Sequence, residues 1–376
     1  MSINDSAIPR RAAVHRTGQT ATRKGTLGAS GSALREMPTS FFVLPCTSRG
    51  RSCEVFERGG SQRASDTGHV HSLRARNRAG KSNMADTNSS WTVITGSTGG
   101  IGSELAKQLV QRGDSLVLVN RSKEKADAQR ASLIASHPGA SIELVTADLM
   151  DVAQIVAAAS TIESIPGTVD ALYNNSGILT GEKVLSAQGF ESQFAVNTLA
   201  PYVLIRRLRG KLARPRADGP AMVVNFSSSA IKAPKSLDVD NLSNPDEVGG
   251  LMTTYAQTKL AATALAPALE ADLKADNILI RAIDPGATRS PMTTTGNSGM
   301  PRILSWIAPL LFRPADQQAA KVIESAAPAA LGGRSGVYVA NRRVRPMPAP
   351  AADEDVQRRL IVLLDRILDT ESHAGS

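Results

Sequence analysis

Short apolar runs rich in Val, Ile and Leu recur from residue 91 onward, at 91–95, 115–120, 142–147, 169–174, 222–227, 278–284 and 337–340. Each is separated from the next by a stretch long enough for a helix. A chain patterned in this way folds as βαβ units, because parallel neighbours need a crossover connection of a dozen or more residues. The run Leu116-Val117-Leu118-Val119 is apolar without alternation, which suits a strand covered on both faces. The predicted architecture is therefore α/β, a doubly wound parallel sheet of the Rossmann type, in a single domain spanning 84–376. Val356, Leu360, Leu364 and Ile367 recur at helical spacing and predict an amphipathic last helix packed onto the sheet.

The net charge of +9 suggests a nucleic-acid partner until it is located along the chain. Residues 1–83 hold twelve Arg and two Lys against three Glu and two Asp, so the whole excess lies there and 84–376 is formally neutral. That leader has no helical or strand period and few aromatics, which excludes nucleic-acid binding by a folded basic face and reads as disordered. It is either dispensable, in a cytoplasmic protein, or an Arg-rich organelle transit segment. Both cysteines, Cys46 and Cys53, fall in it, so disulfides, thiol catalysis and Cys-ligated zinc are excluded for the rest. No apolar run approaches the roughly 18 residues of a membrane span, and a soluble protein without a transmembrane segment is expected.

Thr95-Gly96-Ser97-Thr98-Gly99-Gly100-Ile101-Gly102 follows the first strand directly and opens a helical pattern. Glycines there let the backbone approach a pyrophosphate, whose charge would rest on the free N–H groups of the helix. The motif alone also fits an ordinary βα turn. Asn120-Arg121 ends the second strand, Asp148-Leu149 follows the third, and Asn174-Asn175-Ser176-Gly177 closes the fourth, all at carboxyl ends, where open α/β sheets bind ligands. Arg121 either pairs with a phosphate or is a solvated loop residue. Tyr255 and Lys259 stand four apart and share a helix face, where an ammonium would draw the phenol pKa toward the working range. Ser227-Ser228-Ser229 ends the fifth strand, and Asp284-Pro285-Gly286 the sixth.

The order and placement of these motifs resemble the short-chain dehydrogenase/reductase family over the whole of 84 to about 369, with a moderate likeness to its retinol-dehydrogenase-like branch. The resemblance implies an oxidoreductase that moves a hydride between NADP(H) and a small-molecule carbonyl or alcohol substrate, with a cofactor-binding regulatory protein as the alternative. It assigns the catalytic roles to Ser228, Tyr255, Lys259 and Asn197, the last supporting a water relay to the lysine. It assigns cofactor binding to Gly96, Ser97, Thr98, Gly100, Ile101, Gly102, Asn120, Arg121, Asp148, Leu149, Asn174 and Gly177, together with Tyr255, Lys259, Pro285 and Gly286. No carboxylate stands at position 120 to hold ribose hydroxyls, so NADP(H) is favoured over NAD(H). No metal is implied, and a homo-oligomer is left open.

Three further expectations concern segments outside these motifs. Ser228 and Tyr255 lie 27 positions apart, and the polar residues around 235–250 predict a loop inserted above the site. The apolar run 300–312 is either a lid for an apolar substrate or ordinary core packing. The basic run Arg206-Arg207-Leu208-Arg209-Gly210-Lys211 is expected to be a solvated face at a helix end.

Overall fold

The computed structural model describes residues 89–213, 219–245, 251–288 and 313–374. The 1–83 leader and the 300–312 run lie outside them. One eight-stranded sheet runs in the order β3-β2-β1-β4-β5-β6-β7-β8, formed by β1 (Ser90–Thr95), β2 (Ser115–Asn120), β3 (Ile142–Thr146), β4 (Thr168–Asn174), β5 (Ala221–Phe226), β6 (Ile278–Asp284), β7 (Val337–Ala340) and β8 (Arg343–Arg345). The first seven are parallel, and the predicted runs agree with them to within a residue at each end. β8 pairs antiparallel with β7 and was not expected. Its two-residue turn places Asn341 and Arg342 at φ 55° and 60°, a conformation usually signalled by Asn-Gly, which is missing here.

The chain order reverses between β1 and β4, which opens a crevice at the carboxyl edge of the sheet. One face of the sheet is covered by α1 (Gly100–Arg112), α2 (Lys123–Ser136) and α7 (Ala315–Ala326). The other is covered by α3 (Val152–Ser164), α5 (Ala200–Leu212) and α6 (Leu251–Ala275). The last helix, α9 (Glu354–Ala374), buries Leu360, Leu364, Ile367 and Leu368, as the periodicity requires. It packs chiefly on α6 and α3, a second layer beyond the sheet rather than on the strands themselves.

Lys211 corrects the reading of the 206–211 basic run as a solvated face, and Arg281 is a second buried cation that the sequence did not single out. Lys211 is 1% exposed, and its ammonium donates to Ile162 O (2.8 Å), Glu163 O (3.1 Å) and Ile165 O. These carbonyls lie at the C-terminal end of α3, where Ile162 O also accepts from Ile165 N (3.2 Å), so the lysine caps a helix far from it in sequence. Arg206 and Arg209 likewise pair with Asp365 and Asp276 instead of facing solvent. Arg281, in the middle of β6, is fully buried and spreads its guanidinium over Ser325, Ala327, Pro328, Ala330 and Arg334 carbonyls at 2.7–3.0 Å.

The insertion between Ser228 and Tyr255 is more tightly held than its polar sequence suggests. Leu237, Val239 and Leu242 are buried in the main core, Gln257 Nε2 donates to Ser236 O (2.9 Å), and Lys183 Nζ donates to Pro245 O (2.6 Å).

Candidate active site

The glycine turn is built for close approach. Gly96 has φ 68°, and a Cβ on Gly102 would stand 2.2 Å from Gly96 O and 2.5 Å from Asn175 Nδ2. Asn175 donates to Thr95 O and Gly96 O (2.9 and 3.0 Å), tying the turn to the end of β4, and Ser176 N donates to Thr95 Oγ1 (3.0 Å). Sequence reasoning singled out Asn174 as a residue of the cofactor cleft. The structure buries Asn174 between strands, donating to Asn225 Oδ1 at 2.9 Å, and gives the contacts with the turn to its neighbour.

A hydrogen-bonded chain runs behind the turn: Asn120 Nδ2 donates to Ser97 Oγ (2.8 Å), which donates to Gln129 Oε1 (2.8 Å). Asn120 Oδ1 is buried without a partner among the described residues, an acceptor awaiting a hydroxyl such as that of a ribose. Gln129 carried no signal in the sequence beyond a helical position. Arg121, next in the chain, is exposed, while Thr98 and Ile101 are half-buried along the turn. Asp148 accepts from Met150 N (3.0 Å) and Leu149 is buried, both at the carboxyl end of β3. The residues present fit a dinucleotide: a glycine cradle at a helix N-terminus and an unfilled acceptor at the end of β2.

The proton-handling groups converge at the ends of β5 and β6. The Ser228 side chain lies near enough to the Tyr255 hydroxyl to draw its pKa down, and Ser228 Oγ accepts from Ala230 N at 3.2 Å. Ser227, its neighbour, is buried and bonded to Thr263 Oγ1 (2.7 Å), so the second serine is the one turned toward the tyrosine. Lys259 is 4% exposed and donates to Phe226 O at 2.9 Å. Gly177 closes over it, where a Cβ would stand 3.1 Å from Lys259 Nζ and 3.2 Å from Asn197 Oδ1. Asn197 lies in a π-helical turn, Ala195–Leu199. Its side chain accepts from Ile178 N (2.8 Å) and donates to Ile178 O (3.0 Å) and Thr258 Oγ1 (3.1 Å). Such turns are rare and concentrate at functional sites.

Burial sets the electrostatics. It pushes the Tyr255 phenol above its usual value, the Ser228 side chain opposes this, and Asp284 adds to it. The phenol is therefore raised on balance, not lowered as its spacing from Lys259 led one to expect, because burial outweighs the opposing influences. Lys259 is itself lowered to about 8 by burial, with Asp284 acting the other way. Asp284 is held by Gly286 N at 2.8 Å and by the Tyr338 hydroxyl at 3.2 Å, just before Pro285-Gly286.

The fold is a Rossmann-type sheet with a cluster of candidate catalytic side chains at its carboxyl edge. Residues 90–240 match the family described as short chain dehydrogenase. Retinol dehydrogenase 13 of Homo sapiens is 28% identical over 284 residues, 74% of this chain and 85% of that protein. Short-chain dehydrogenase TIC 32 B, chloroplastic, of Brassica napus is 26% identical over 74% of this chain and 88% of its own. Among solved structures, levodione reductase superposes with a TM-score of 0.55 at 22% identity, covering 70% of this chain and 98% of that one. An NADPH-bound carbonyl reductase from chicken fatty liver gives 0.52 at 19% identity, covering 69% and 99%. Among the described residues no helix is long and apolar enough to cross a membrane.

Proposed function

We propose that this chain is an NADP(H)-dependent reductase of carbonyl compounds, working reversibly on the corresponding alcohols. The observation that carries the reading is the Tyr255 hydroxyl near Ser228, one helical turn from the buried Lys259, at the carboxyl edge of the sheet. When bound, the nicotinamide supplies the hydride in reduction and accepts it in oxidation. Tyr255 gives its phenolic proton to the carbonyl oxygen as the alcohol forms. Ser228 donates a hydrogen bond to the same oxygen and fixes the phenol's direction. Lys259, protonated below about pH 8, places a positive charge where it favours the phenolate left behind. Asn197 fixes Ile178 and Thr258, the walls beside the lysine, and we retain for it a part in a water relay that returns the proton. The intact trio argues against a purely regulatory, non-reacting protein.

For the cofactor, Gly96 to Gly102 would take the pyrophosphate, Asn120 Oδ1 a ribose hydroxyl, and Arg121 the 2′-phosphate. An uncharged Asn120 does not repel that phosphate. A partly exposed charge-assisted contact implies a preference for NADPH over NADH on the order of tenfold to a hundredfold in kcat/KM, weakening as salt rises. Arg121→Ala should erase most of it. Equal kcat/KM for the two cofactors in the wild-type protein would make Arg121 a solvated loop residue.

The folded unit is assigned to 84–376, with 1–83 a dispensable leader of a cytoplasmic protein. The chloroplastic label of a Brassica relative favours organelle targeting as a second reading. The fragment 84–376 is expected to keep the activity of the full chain, measured as NADPH oxidation with a common ketone. An inactive or insoluble fragment beside an active full chain removes the claim.

A further inference from the structure

A cavity of about 540 Å³ opens beside the Pro285-Gly286 turn, at the carboxyl ends of β6 and β7. Four cationic side chains line it, from separate segments: Lys232 in the turn after Ser228, Arg313 and Lys321 at the start of α7, and Arg345 at the end of β8. No ion pair to a described carboxylate is made by any of them, and Lys321 donates only to Gln318 Oε1 at 2.9 Å. The carboxylate in the wall, Asp284, is already engaged through both oxygens by Gly286 N and the Tyr338 hydroxyl. Glu324, the nearby acid, is paired with Arg342 at 2.7 Å.

Gathering four cations around a single carboxylate, Asp284, leaves a net positive wall and costs free energy. The Lys321 pKa is lowered, first by burial and then by Arg313 and Arg342. Elsewhere arginines such as Arg112, Arg358 and Arg359 have carboxylate partners. A concave wall of unpaired cations concentrates anions and can hold an oxyanion by several charge-assisted hydrogen bonds. The cavity adjoins the reacting groups: Asp284 lines it and acts electrostatically on both Tyr255 and Lys259, and Lys232 lies four residues after Ser228.

We propose that this cavity is the distal end of the substrate site and binds an oxyanionic group of the substrate, so that the natural substrates are carbonyl or alcohol compounds bearing a carboxylate or phosphate. The assignment rests on the reductase reading above. It runs against the apolar substrate suggested by the 300–312 run.

The test uses the full chain and two keto acids, levulinate and para-acetylbenzoate, each against its methyl ester, with NADPH. The acids are expected to exceed their esters by tenfold or more in kcat/KM. Lys321→Gln with Arg345→Gln should cost the acids at least tenfold while leaving the esters and the KM for NADPH within about twofold. Equal use of acid and ester overturns the proposal, as does an equal loss on both. A loss confined to the KM for NADPH also overturns it, because the cations would then serve the cofactor's phosphates. If no ketone is reduced, the reductase reading fails, and calorimetric binding of acid and ester decides the cavity separately. Tighter binding of the acid that the double variant abolishes upholds it; equal binding overturns it.

Discussion

Replacing Tyr255 with Phe should leave a folded protein that still binds NADPH but oxidises it against a ketone on the order of a thousandfold more slowly. The ring keeps its packing, since only the hydroxyl near Ser228 is removed. What disappears is the proton donor, and positioned proton transfer contributes typically about 10²–10⁴-fold. The same geometry fixes a pH dependence. Burial raises the phenol's pKa, so Tyr255 stays protonated across the neutral range, while Lys259 loses its proton near pH 8. The reductive rate should therefore fall as pH rises through about 8, and that limb should vanish in Lys259→Met, which has no ammonium to lose. Stopped-flow NADPH oxidation from pH 6 to 10 checks both. Wild-type rates in Tyr255→Phe would remove the tyrosine from the chemistry.

The second large effect is on stability. Arg281→Met should destabilise the protein by on the order of 4 kcal/mol, because five carbonyls at and just after the end of α7 lose the donors of a fully buried guanidinium and the methionine supplies none. Thermal unfolding should shift downward by roughly 10 °C in a domain of this size. Arg281→Lys should recover little, since an ammonium with three donors cannot span the set reached by a planar fork. A shift of only a degree or two would mean that water satisfies those carbonyls.

Which features were legible in the sequence follows from how local their causes are. The parallel strands were legible because their β-branched runs are contiguous, and the glycine turn because Gly96 and Gly102 meet a steric demand set within a few residues. Tyr255 and Lys259 were legible for the same reason, being one helical turn apart. Lys211 was misread because the carbonyls it caps lie more than forty residues away, in α3, and nothing near it in sequence announces them. Arg281 sits within an otherwise apolar strand, with acceptors at and just after the end of a helix that follows it by dozens of residues. The β7–β8 turn hid behind Asn341-Arg342, where the left-handed backbone lacks its usual glycine. The cationic cavity was invisible for a related reason: Lys232, Lys321 and Arg345 lie far apart in sequence and meet only when the sheet edge closes.

The central claim is hydride transfer driven by the Ser228, Tyr255 and Lys259 constellation. It is tested most directly by incubating the full chain with NADPH deuterated at the transferring position of the nicotinamide and a panel of ketones, aldehydes and keto acids. Mass spectrometry of the products then reads the outcome. The expected result is an alcohol carrying one deuterium on the carbinol carbon, formed by the wild-type protein and reduced about a thousandfold in Tyr255→Phe. Cofactor binding without any deuterated alcohol from the panel, or deuterium transfer undiminished in Tyr255→Phe, would contradict it.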